Sequence, residues 1–140
     1  MSDKEAVKLL ATVPLFSECT KRELQSIAAT AKEVDRKEGA VLVKEGDRGI
    51  GFFLIIEGRA GVTVGKKKVR SLGPGEFFGE ISLLDDSPRS ATVVAETPVR
   101  MLGLTSWAFK RLIQDNPAIA PRLLKSIASR IRADASNNVR

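Results

Sequence analysis

Residues Phe78 to Val93 read Phe-Gly-Glu-Ile-Ser-Leu-Leu-Asp-Asp-Ser-Pro-Arg-Ser-Ala-Thr-Val. The stretch sets a carboxylate, Glu80, and a guanidinium, Arg89, among small and apolar residues suited to a compact, dry pocket. A carboxylate accepts hydrogen bonds from sugar hydroxyls, and an arginine fork matches a phosphate. Together they suggest a nucleotide with few phosphates. The plainer alternative is a salt bridge between two surface side chains. The small and apolar neighbours argue against full solvation, and a buried charge without a partner is costly.

Composition narrows the chemistry. At 140 residues, 43% hydrophobic and 29% charged, the chain has the make-up of one soluble globular domain with its own core. No apolar run approaches the roughly 20 residues that a membrane helix needs, and Met1-Ser-Asp-Lys-Glu lacks the layout of a signal peptide. The single cysteine, Cys19, rules out an internal disulfide and makes a reducing cytoplasm the default. With no histidine and no tyrosine, histidine-based acid–base catalysis and histidine metal ligation are excluded. Cys19 has no histidine to activate it, so nothing argues for an enzyme.

Working outward, Gly73-Pro74-Gly75 just before the stretch is a turn by its backbone chemistry. Upstream, Val41–Val43, Phe52–Ile56, Ala60–Val64 and Val69–Leu72 are short β-prone runs separated by glycines. Ala91–Ala95 and Val99–Leu104 continue the series downstream. Closely spaced strands with glycine punctuation indicate an antiparallel roll of jelly-roll type. The Gly65-Lys66-Lys67-Lys68 tip reads as an exposed hairpin loop whose charges stay in water.

Helices flank the strands. Val7, Leu9, Leu10 and Val13–Phe16 form an apolar anchor, and Thr20-Lys-Arg-Glu23 has the spacing of a capping box. A helix over Lys21–Lys32 follows. After the roll, Ser106 is a candidate N-cap, with Trp107, Leu112 and Ile113 on one apolar face. Asn116-Pro117 breaks that helix, and a last one runs from about Pro117 to Ala133. Ile119, Leu123, Leu124, Ile127, Ala128 and Ile131 form a stripe along it. The stripe either packs on its own roll or pairs with a second copy. The fold class is α+β, a single domain over 1–140, with a helical segment at 1–37, a roll at 38–105 holding the 78–93 stretch, and C-terminal helices at 106–135. From Lys110 onward seven basic residues face only Asp115 and Asp134, so most of the net charge of +6 lies there. Such a third can meet nucleic acid or an acidic partner, yet a solvated helix face explains it as well. An aromatic content of 5% disfavours direct nucleic-acid binding by base stacking.

The whole chain resembles a cyclic nucleotide-binding domain, from Val13–Phe16 through the glycine-punctuated strands to the closing helix. It is similar to the sensory half of catabolite-activator-type bacterial regulators and to the regulatory domains of cyclic-nucleotide-dependent kinases. Gly79-Glu80-Ile81 followed by Pro88-Arg89-Ser90-Ala91-Thr92-Val93 matches the family's phosphate-binding cassette. The resemblance implies that Gly79 lets the backbone approach the ligand, Glu80 accepts from the ribose 2′-hydroxyl, and Arg89 takes the phosphate. It also implies that free N–H groups of the Ile81-Ser82-Leu83-Leu84 turn point at the cyclic phosphate. Ser90 adds a backbone N–H or its hydroxyl, and Val62 and Leu72 are wall candidates against the base.

No cofactor is expected beyond the ligand. In the family, threonine after the arginine goes with guanine preference. Ser90 stands there, which makes cyclic AMP the favoured ligand and cyclic GMP the alternative. Ile50 replaces an acidic residue that the family often carries, and Asp134 and Ala135 correspond to the helix region that caps adenine. The resemblance implies a sensor module whose last helix moves on binding and acts on a protein effector, with a homodimer through that helix as an option. The alternative is an interaction module of the same fold that no longer binds nucleotide. The chain ends near Arg140 without room for a helix-turn-helix, which suggests a stand-alone sensor or the sensory piece of a longer protein.

Overall fold

A computed structural model describes residues 1–48, 51–85 and 87–138, the last three of these by backbone alone. The chain groups into two compact units, 30–110 on one hand and 1–29 with 111–140 on the other.

Unit 30–110 is built on eight strands among the described residues: β1 Lys32–Arg36, β2 Val41–Val43, β3 Gly51–Glu57, β4 Ala60–Val64, β5 Lys67–Leu72, β6 Phe77–Phe78, β7 Thr92–Ala95 and β8 Val99–Thr105. They form two four-stranded antiparallel sheets in the orders β1-β8-β3-β6 and β2-β7-β4-β5. Alternating side chains from both sheets meet in one apolar cluster. Ile55, Phe78, Val99 and Met101 come from the first sheet, and Ala60, Val62, Leu72, Val93 and Ala95 from the second. Gly73-Pro74-Gly75 turns the chain as expected, with Gly75 N–H donating to Ile55 O at 2.8 Å and Glu76 N–H to Gly73 O at 3.0 Å.

Two expectations are corrected in this unit. The helix after the capping box stops at Thr30, and Lys32–Arg36 is a strand that the sequence reading did not contain. Only Val34 of β1 is shielded from water, so the strand carries no apolar alternation to read. The Gly65–Lys68 loop is also shorter than expected. Lys67 and Lys68 belong to β5, and the Lys68 ammonium pairs with Glu96 instead of lying free in water.

In the other unit, α1 covers Asp3–Ala11 and α2 covers Lys21–Thr30, with a 3-10 turn at Pro14–Phe16 between them. The capping box is reciprocal: Glu23 N–H donates to Thr20 Oγ1 at 3.2 Å, and Thr20 N–H donates to Glu23 Oε1 at 2.8 Å. Glu23 also takes the Arg122 guanidinium at 2.8 Å. Leu10, Val13, Leu15, Phe16 and Ile27 are fully buried. Helix α4, Ile119–Asn138, packs on the Pro14–Phe16 turn. It starts later and runs further than the expected Pro117–Ala133.

Helix α3 spans Ser106–Asp115. Its cap lies one residue earlier than expected, because the Thr105 hydroxyl, not Ser106, accepts from Ala108 N–H at 3.3 Å. Its apolar face differs too. Phe109 and Leu112 are buried, whereas Trp107 is 63% exposed. The last helix divides likewise, with Ile119 and Leu123 buried but Leu124 and Ile131 67% and 63% exposed. The architecture is the α+β antiparallel roll with N-terminal helices and two C-terminal helices that the sequence implies.

Candidate functional site

The site segment begins where β6 ends. Phe77 and Phe78 pair with Leu54 and Phe53 of β3, and the Phe53 and Phe78 rings lie 5.4 Å apart. The chain then turns at Gly79 with φ +84°, a conformation that residues with a β-carbon rarely adopt. A β-carbon added at Gly79 would collide with the Arg89 guanidinium and with the carbonyl oxygen of Gly51. Glycine is required twice over here, by its φ angle and by the close approach.

Glu80 is half-buried and heads a 3-10 turn over Ile81–Leu83. Within that turn Ser82 N–H donates to Gly79 O, Leu83 N–H to Glu80 O and Leu84 N–H to Ile81 O, at 2.9–3.2 Å. The expectation of several free N–H groups is therefore corrected. Of that segment, only Ile81 N–H has no acceptor inside the turn, because a 3-10 turn uses its donors one residue sooner than an α-helix. Ser82 and Leu83 are buried, while Ile81 is 51% exposed.

Arg89 is fixed from both ends. Its backbone N–H donates to Asp47 O at 2.7 Å, and its carbonyl accepts from Gly46 N–H at 2.9 Å. Its Nη2 donates to the Gly51 carbonyl. Its Nε is buried without a hydrogen-bond partner. Among the described residues no carboxylate lies at ion-pair distance from it, that of Glu80 included. The surface salt bridge that offered the plainer account of Glu80 and Arg89 is absent. Burial lowers the Arg89 pKa from its ordinary value, yet a guanidinium remains charged at any physiological pH. The result is a half-buried cation, turned to a neutral carbonyl, beside a glycine that keeps the backbone close.

The structure thus brings Gly79 and Arg89 into contact and sets Glu80, Ile81 and Ser82 in one turn after Gly79. Ser90 is exposed. Val62 and Leu72 are buried in the cluster that also holds Phe78, the neighbour of Gly79. Asp134 and Ala135 are exposed within α4. Ile50 lies outside the described residues. The sequence reading missed Gly51 and the Gly46–Asp47 backbone, which hold Arg89. Both act through main-chain atoms, which leave no side-chain signature.

Cys19 stays inert. Burial, and next the Glu23 carboxylate, push its thiol up to about 11 against the pull of Arg122, so it remains protonated at neutral pH.

The profile of the family described as cyclic nucleotide-binding domain matches residues 33–116. The chain is 38% identical over 129 residues to a cyclic nucleotide-gated potassium channel of Mesorhizobium japonicum, covering 92% of this chain and 36% of the channel. It is 40% identical over 106 residues to a cAMP-dependent protein kinase regulatory subunit of Colletotrichum orbiculare, covering 74% of this chain and 27% of that subunit. It therefore spans only about a third of these relatives. Among solved structures, the N-terminal domain of a transcriptional regulator from Streptomyces coelicolor superposes with a TM-score of 0.83 at 30% identity, covering 90% of this chain and 94% of that one. The sensor domain of the regulator DNR from Pseudomonas aeruginosa, at 23% identity and a TM-score of 0.72, shares the fold. With the profile covering more than half of its residues, the cassette turn and its arginine included, the chain belongs to the cyclic nucleotide-binding domain family, whose members are regulatory binding modules.

Proposed function

We propose that this chain binds cyclic AMP through the turn at Gly79–Ser82 and the Arg89 guanidinium, as the sensor of a cytoplasmic signalling system. The observation that carries the reading is Arg89 itself, a half-buried cation with a buried, unpartnered Nε and no carboxylate beside it among the described residues. A phosphodiester brought to Arg89 supplies the missing opposite charge and an acceptor for its donors. Glu80, at the head of the turn, takes the ribose 2′-hydroxyl, and Gly79 keeps the backbone out of the way. Cyclic AMP is preferred over cyclic GMP because Ser90 stands where threonine accompanies guanine preference. The kinase regulatory subunit among the relatives is named for cAMP as well. The output is a change in the C-terminal helix that a protein effector reads. A ligand shifts such an equilibrium only by its differential affinity for the two states.

Calorimetric titration with cyclic AMP, cyclic GMP and 5′-AMP tests the reading. Cyclic AMP binds, 5′-AMP does not, and Arg89→Ala loses about 2–5 kcal/mol of affinity. The fold of that variant is no less stable, because it sheds a cation that had no anionic partner. Undiminished binding by Arg89→Ala refutes the assignment.

A second reading, in which the module pairs with its own copy, rests on a different observation. Leu124, Ala128, Ile131 and Ala135 are exposed along α4 at alternating steps of four and three, the spacing of a coiled-coil seam. Ile131→Glu converts a dimer to a monomer in sedimentation while leaving nucleotide binding in place. Wild-type protein that sediments as a monomer at high concentration removes this reading.

A further inference from the structure

A groove of about 280 Å³ opens in unit 30–110, lined in part by Gly51, whose carbonyl accepts from Arg89. Val34, Phe53, Leu104 and Trp107 are the large apolar residues of its lining, and Lys32 and Gly103 line it as well. Its geometry starts from strand register. Gly103 on β8 pairs with Lys32 on β1 and with Phe53 on β3. Residues directly opposite one another in a ladder share a face, so the glycine sits between a cation and an aromatic ring. A β-carbon at Gly103 would come 3.1 Å from Phe53 Cε1 and 3.3 Å from Val34 Cγ2. Phe53 and Val34 therefore lie directly against the glycine, and a side chain there would push both out of the groove's floor.

Two further features point to an occupant. Trp107 lines the groove yet is 63% exposed, although an indole gains from burying its apolar body. Lys32 is exposed, and among the described residues no carboxylate lies at ion-pair distance from it. The volume is near the low end of the roughly 300–1,000 Å³ typical of organic ligand sites.

We propose that this groove binds a small amphipathic anion, with a short apolar chain or ring against Phe53 and Trp107 and a carboxylate toward Lys32. An apolar lining without a cation would accept an alcohol as readily as an acid. An exposed lysine without the apolar floor would hold no particular anion. Only the two together select both parts of one ligand. The groove shares Gly51 with the Arg89 contact, but none of Gly79, Glu80 and Arg89 lines it.

Trp107 is the only tryptophan and the chain has no tyrosine, so indole fluorescence reports this groove and nothing else. Octanoate is titrated into the full chain, with octan-1-ol as the uncharged counterpart. The expected result is a saturable blue shift with octanoate and a markedly weaker response to octanol. Lys32→Gln weakens octanoate about fivefold and leaves octanol unchanged. Gly103→Val, or Gly103→Ala if the valine variant loses its native circular dichroism, abolishes the saturable shift. A wild-type response that does not saturate, equal binding of octanoate and octanol, or an octanoate affinity unchanged in Lys32→Gln overturns the proposal.

Discussion

Two turns of this molecule start from the same ingredients and end differently. At the β4–β5 tip, Gly65 has φ +62° and is followed by three lysines. At the cassette, Gly79 has φ +84° and has Arg89 beside it. A β-carbon at Gly65 would meet nothing within 4 Å, whereas one at Gly79 would strike the guanidinium and the Gly51 carbonyl. A glycine with positive φ is punctuation in the first case and part of a built pocket in the second. Sequence alone does not separate the two, because the difference lies in what reaches the turn from elsewhere in the chain.

The largest effect that tests this contrast is Gly79→Ala. Backbone strain of about 1–2 kcal/mol adds to crowding of about 1–3 kcal/mol. Denaturant unfolding should therefore show a loss of about 2–5 kcal/mol, with nucleotide binding abolished. A stable Gly79→Ala protein that still binds would make the cassette glycine as dispensable as the hairpin one. Gly65→Ala carries the strain without the crowding. Its cost of about 1 kcal/mol should leave calorimetric binding unchanged, and a binding defect there would break the comparison from the other side.

The smallest effect is expected from Lys68→Ala. Hydrogen bonds from Lys68 and then from Ser71 hold the Glu96 carboxyl below its usual range. The folded value is thus the lower one, and the stabilisation is present above the unfolded value of about 4.3. It is lost as pH falls through the lowered folded value. Thermal melts across that acid window should show a shallower pH slope in Lys68→Ala, and the difference should shrink in high salt. An unchanged slope would leave the hairpin lysines as solvated as the sequence reading had them.

How much was legible follows the same division between local and distant causes. The capping box at Thr20–Glu23 is written in residues three apart, and both of its hydrogen bonds are present. The strands from Gly51 to Leu72 announce themselves by β-prone runs and glycine stops. Strand β1 does not, because Lys-Glu-Val-Asp-Arg offers a single shielded side chain. Trp107 misleads for a related reason. Helical periodicity tells which residues share a face but not which face is covered, and Phe109 rather than Trp107 turned out to be the buried aromatic. At the site, Gly79, Glu80 and Arg89 were readable because their side chains, or the lack of one, carry the chemistry. The Gly51 carbonyl was not, being 38 residues away and common to every amino acid.

That carbonyl has one more consequence. An oxygen dipole steadies the Arg89 fork without cancelling its charge, so the folded chain holds a cation in a place where water reaches it poorly. Any anion seated there strengthens the fold as it binds. A messenger acting through this arginine would then govern how long the protein survives as well as what it signals, since chains without it would open more often to proteases.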